Sequence, residues 1–128
     1  MSRLRALVES GIVDKEDGTI LDTNLLWQQS SSSDKALTWQ EAIEYCKSLT
    51  LAGHNDWRLP TIEELESLIN NKYETTIDPI FECKHGWYWS SSFYASSSNS
   101  NWGVGFHVGM VYNSYEGGVG FVRAVRDV

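Results

Sequence analysis

The 128-residue sequence predicts an α+β domain. It would have an N-terminal hairpin, two helices and a twisted antiparallel sheet, in that chain order. Three observations carry the prediction. An Asp17-Gly18 turn signal sits between short apolar runs. Two Thr-x-x-Glu boxes open amphipathic stretches at Thr38 and Thr61. Beyond residue 72, Gly, Ser, Asn and aromatic residues replace helix formers, and apolar residues recur at period two. Helices segregated from an antiparallel sheet define the α+β class.

The hairpin is read over residues 12–27. Ile12 and Val13 lead to a polar tip, Thr19, Ile20 and Leu21 resume strand character, and Leu25, Leu26 and Trp27 form a further apolar patch. Asp14, Glu16 and Asp17 cluster at the tip, but a calcium loop needs more ligands at fixed spacing, so the reading is a plain turn. Residues 28–37 are a polar loop. A helix follows over about 39–50, with Trp39, Ala42, Ile43, Cys46 and Leu49 on one face.

In "DWRLP" the proline keeps Leu59 out of helical backbone. An extended Asp56–Leu59 segment then turns Trp57 and Leu59 to one side and Arg58 to the other. The second helix opens at Thr61 and presents Ile62, Leu65, Leu68 and Ile69 before Asn70-Asn71 ends it. Residues 86–94, "GWYWSSSFY", read as a strand. Residues 101–112 alternate as one long strand, with Trp102, Val104, Phe106, Val108 and Met110 on one face and Gly103, Gly105, His107 and Gly109 on the other. Residues 113–118 read as a turn and 119–128 as a last strand.

One domain, 11–128, with residues 1–10 as a lead-in, suits this length. The net charge of −7 and the scattered Lys and Arg argue against nucleic acid, which selects basic clusters. No run approaches the ~20 apolar residues of a membrane span, so no membrane insertion is expected, and the first twelve residues do not form a signal peptide. Cys46 and Cys83 form no CxxC, and a disulfide between them is a possibility that depends on compartment. His54, His85 and His107 lack metal-ligand spacing, so no metal and no cofactor are expected.

A nucleophile–base pair cannot be assembled from the sequence, so no catalytic residue and no enzyme activity are expected. A binding surface is easier to argue. Residues 93–118 mix rings with small polar groups, as adaptable recognition surfaces do. The candidates are Phe93, Tyr94, Asn99, Asn101, Trp102, Tyr112, Asn113, Tyr115 and Glu116, with His107 placed over a groove left by its neighbouring glycines.

Six blocks, "DGTILD", "LLWQ", "TWQEAIEYCKSL", "DWRLPTIEELESLI", "YWSSS" and "FVRAVR", stand in the order seen in the DUF1566, or Lcl C-terminal domain, family. The resemblance runs from about Gly11 to Arg126. It implies a C-type-lectin-like fold, distantly similar to formylglycine-generating enzymes, in a bacterial protein that is exported, periplasmic or surface-borne. It also implies that Trp57, Arg58, Trp89 and Arg123 are framework, Arg123 with the option of satisfying loop carbonyls. The formylglycine-generating branch uses a cysteine pair near the C-terminal part of its domain, and this chain has no cysteine after Cys83. The expected function is therefore non-catalytic recognition of a glycan or an envelope protein, as in adhesion. A structural or oligomerisation module, with homo-oligomers, is one alternative, and an enzyme related to sulfatase-modifying factors is the other. Sulfated-polysaccharide binding, implied for some adhesin-tip relatives, is not carried over, because no basic patch stands out.

Overall fold

The computed structural model describes residues 11–32, 35–84, 86–94, 97–115 and 118–128, with backbone alone for 94, 97–99, 112, 114 and 115. The chain runs β1 (Ile12–Asp14), β2 (Thr19–Asp22), β3 (Leu25–Gln28), α1 (Trp39–Ser48), α2 (Ile62–Glu66), β4 (Trp87–Tyr94), β5 (Ser97–Gly105), β6 (Met110–Tyr115) and β7 (Val125–Asp127). The class is α+β. The strands form two antiparallel sheets: the N-terminal hairpin extends to a four-stranded sheet ordered β1-β2-β3-β7, and the other sheet is β4-β5-β6.

The β1–β2 tip is a plain turn. Asp14 and Asp17 turn carboxylate oxygens onto the turn's own backbone, accepting from the Glu16 and Thr19 N–H groups at 2.8 and 3.0 Å. Gly18, at φ 91°, supplies the left-handed conformation the tip requires. Both capping boxes form. Thr38 Oγ1 accepts from Glu41 N at 3.2 Å while Glu41 Oε1 accepts from Thr38 N at 2.9 Å, and Thr61 and Glu64 repeat the exchange at the same distances.

Helix α2 is shorter than its apolar pattern suggests. After Glu66 the backbone tightens, with Leu68 N donating to Leu65 O and Ile69 N to Glu66 O, and Asn70 N leaves to meet Thr76 O. Leu68 stays buried, so the pattern reports burial beyond the helix itself.

The 101–112 segment is not one strand. Gly109, at φ 67°, reverses the chain, and the N–H groups of Val108 and Gly109 close on Gly105 O. Val108 and Met110 therefore stand 52% and 57% exposed, while Val104 and Phe106 are buried. Residues 113–115, expected in a turn, belong to β6. The 119–128 segment is likewise not one strand but a seam. Gly120 pairs with Leu37, Phe121 with Tyr88, Val122 with Ser32 and Ala124 with Gln28 before β7 joins β3.

Strands of both sheets send side chains into two clusters on opposite sides, which accounts for many of the aromatic residues. Adjacent strand residues point to opposite sides. Trp27, Tyr88 and Val125 enter one cluster with Ile20, Leu65, Phe81, Val104 and Phe106. Leu26, Trp87, Trp89 and Ala124 enter a second with Ala42, Cys46, Trp57 and Leu59. Trp27, Trp57, Trp87 and Trp89 are buried.

Candidate functional site

The framework residues come first, because they position everything else. The Trp57–Leu59 segment is an extended corner in which Arg58 and Val125 exchange two backbone hydrogen bonds at 2.9 Å. Trp57 and Leu59 turn into the second cluster, and the Trp57 indole N–H donates to His54 O at 3.1 Å. Arg58 leaves on the other side. Its guanidinium donates to both Glu64 oxygens, at 2.8 and 3.0 Å, and to Asp127 at 3.1 Å. That hydrogen bonding raises Arg58 above the ordinary guanidinium value and lowers Glu64 below the ordinary carboxyl value.

Arg123 is wholly buried. Its guanidinium donates to the carbonyls of Gln28, Gln29 and Glu82 and lies over the rings of Phe81 and Tyr88, at 5.1 and 5.5 Å to their centroids. Among the described residues it has no carboxylate partner, and burial lowers its pKa. Its role is to tie the end of β3, at Gln28 and Gln29, to the segment at Glu82 through one planar donor fork. Trp89 donates its indole N–H to Leu37 O at 2.8 Å and meets Trp87 edge-on at 5.7 Å.

Cys46 and Cys83, candidates for a disulfide, are both free thiols. Cys46 lies in the second cluster and Cys83 packs against the first, so the two cores separate them. Burial pushes the Cys46 thiol up to about 12.

The recognition candidates do not converge on one place. In the β5–β6 ladder Ser100 faces Tyr115 at one end and Gly105 faces Met110 at the other, about 17 Å away at ~3.4 Å per residue. Asn101, Trp102 and Asn113 stand toward the first end. His107 sits in the turn at the other, exposed, at the mouth of a cavity of about 150 Å³ with Thr75, Cys83, Lys84 and Phe106. Above Gly103, one of the glycines on that strand face, the space is already filled. A Cβ on Gly103 would lie 2.4 Å from the Trp87 ring, and one on Gly120 would lie 2.3 Å from it. These two glycines make room for Trp87.

Asn101 and Trp102, adjacent in β5, point to opposite faces. Asn101 is buried, with no hydrogen-bond partner for its Nδ2 among the described residues. Trp102 is half-buried and pairs in register with exposed Asn113. Glu116 lies outside the described residues, as do the side chains of Tyr94, Asn99, Tyr112 and Tyr115.

The strongest surface feature lies at the same end of this sheet, on β4. Register shifts interrupt the β4–β5 ladder between Trp89 and Tyr94. Inside the bulge the serines are wired inward. Ser90 Oγ donates to Trp102 O, Ser91 N donates to Pro60 O, and Ser92 Oγ accepts from Ile62 N. Past them Phe93 emerges 57% exposed, its ring 5.4 Å from the ring of Trp39. Trp39 is held in turn by its indole N–H, which donates to Ser90 O at 3.0 Å. Trp39 packs against the second cluster, as its place on the helix face predicts, while its partnership with Phe93 was not read from the sequence. The available signal was its position directly after the Thr38 cap, where a ring can leave the helix end.

Among the described residues no group of three or more His, Cys, Asp or Glu is placed to hold a metal ion, and no helix is long and apolar enough to cross a membrane. The family profile described as the Lcl C-terminal domain matches residues 18–126. No curated protein matches the chain. The chain belongs to the Lcl C-terminal domain family.

Proposed function

We propose that this member of the Lcl C-terminal domain family is a non-catalytic recognition domain of a bacterial exported or surface protein, and that it binds glycan through the bulged end of the β4–β5–β6 sheet. The observation that carries the reading is the Phe93–Trp39 pair. An aromatic ring more than half exposed is held against a second ring that is itself hydrogen-bonded to the backbone. Such a ring offers contact area at little entropic cost, since its position is set before binding. Sugar rings present C–H faces to aromatic surfaces and hydroxyls to small polar groups, and Asn113 and the half-buried Trp102 stand in the same sheet.

A glycan array followed by titration of the best ligand tests the reading. Phe93→Ala weakens binding by roughly tenfold or more, equivalent to ~1.4 kcal/mol, with the thermal midpoint unchanged. Absence of any glycan binding, or binding indifferent to Phe93→Ala and Trp39→Ala, overturns it. An assembly role is the second reading, favoured by the outer edge of β6, which pairs with no strand among the described residues.

A further inference from the structure

Among the described residues, strand β6 is the last strand of its sheet, paired on one side only, with β5. Its six residues, Met110–Tyr115, hold an unbroken register with β5, without the shifts seen between β4 and β5. Among the described residues, no backbone hydrogen bond beyond that ladder reaches Val111–Tyr115. A row of N–H and C=O groups is therefore presented outward.

Other edges are treated differently. β7 is covered where Val125 bridges Arg58, and β4 where Tyr88 bridges Phe121 and Ser91 meets Pro60 O. β1 is three residues long and ends in Asp14. Short length, charge, proline and bulges are the usual protections of an exposed edge. β6, "MVYNSY", has none of them.

Composition and geometry select the occupant. The chain carries 17 acidic against 10 basic residues, so contact between two copies is opposed wherever charges meet. β6 contains no charged residue. An antiparallel strand is also complementary to itself: a two-fold axis that sets Tyr112, or Asn113, opposite its own counterpart pairs five of the six residues and closes both edges at once. Two of the large apolar side chains left exposed, Val108 at 52% and Met110 at 57%, lie at one end of this edge.

We propose that β6 is a dimerisation edge, and that two copies pair antiparallel through it to join their three-stranded sheets into one six-stranded sheet. The contact is independent of glycan binding at Phe93, which lies on β4.

Sedimentation velocity across a micromolar concentration series, with hydrogen exchange at its low and high ends, tests this. The chain is expected to pass from monomer to dimer, with the β6 amides gaining protection as the dimer forms. Met110→Lys combined with Asn113→Lys, both at exposed positions, places like charges along the shared edge and weakens association by roughly tenfold or more. Near-UV circular dichroism confirms that this variant is folded, and Phe93→Ala leaves association unchanged. A monomer at every concentration overturns the proposal, as does a dimer that the double variant leaves intact. So does equal protection of the β6 amides in dilute monomer, which would mean that the chain's own residues cover the edge.

Discussion

Arg58 and Glu64 form a two-pronged pair, 2.8 and 3.0 Å, that joins the extended corner to the start of helix α2. The same Glu64 carboxylate accepts the Thr61 N–H at 2.9 Å, so one side chain closes the capping box and anchors the corner. Glu64→Ala removes both and is expected to cost about 1–2 kcal/mol, a cap plus a partly exposed ion pair. Arg58→Lys keeps the charge and loses the fork, and is expected to cost roughly 1 kcal/mol. Urea unfolding with an unchanged m-value reads both.

The pair also sets part of the acid response. Arg58 holds Glu64 below the ordinary carboxyl range, as Arg126 does Asp56. In the interval between the folded value and the unfolded value of about 4.3 for Glu, the unfolded chain binds more protons, so stability rises with pH. The contribution is complete above the unfolded value and is lost as pH falls through the folded one. The urea midpoint of the wild-type chain therefore declines on acidification, and Glu64→Gln shows a shallower decline between pH 5 and the acid limit. Parallel curves would contradict this account.

Gly103 and Gly120 sit beneath the Trp87 ring. An added Cβ would also meet backbone oxygens, Tyr88 O at 2.4 Å for Gly103 and Trp87 O at 2.9 Å for Gly120. Gly103→Ala and Gly120→Ala are each expected to destabilise by roughly 1–3 kcal/mol or more, because the neighbours include backbone that cannot rotate away. At Gly53 nothing lies within 4 Å, and only the φ of 81° opposes a side chain, so Gly53→Ala costs about 1 kcal/mol. Thermal melts followed by tryptophan fluorescence rank the three.

Removal of Arg123 leaves buried carbonyls of Gln28, Gln29 and Glu82 without their shared donor. Arg123→Met is expected to destabilise by about 3 kcal/mol or more, since each buried acceptor left unmet costs ~1–3 kcal/mol. Arg123→Lys recovers little, because a single ammonium does not reproduce the spread of the guanidinium fork across three carbonyls. Chemical denaturation of both variants checks this.

The two thiols are expected to react at different rates. Cys46 is 3% exposed and its thiol is pushed up to about 12, so it stays protonated and shielded at neutral pH. Cys83 is half-buried at a cavity mouth. An aromatic disulfide reagent should label Cys83 first in the native protein and both thiols in denaturant. Failure to find two thiols after unfolding would contradict the free-cysteine structure.

Much of the fold was legible because its signals are local. Thr38 with Glu41, and Thr61 with Glu64, satisfy helix-end N–H groups within four residues, so no distant contact is needed to place the helix starts. Asp14 and Asp17 fix the first turn in the same way. The alternation of Trp57, Arg58 and Leu59 follows from extended backbone before proline, whatever surrounds it.

The tertiary structure decided the rest, because period two does not say whether a chain continues or folds back. Gly109 reverses a segment whose alternation reads straight through it, and that reversal sends His107 to a turn and frees Met110. The apparent vacancy above Gly103 could not be read either, since the ring that fills it belongs to Trp87, on the neighbouring strand. Phe93 and Trp39, far apart in the chain, meet only after a bulge re-aims one strand and a cap sets the end of a helix. Local hydrogen bonding is written in adjacent residues. Which rings share a surface, which glycines are occupied and which strand edge stays open depend on long-range packing, which adjacent residues do not encode.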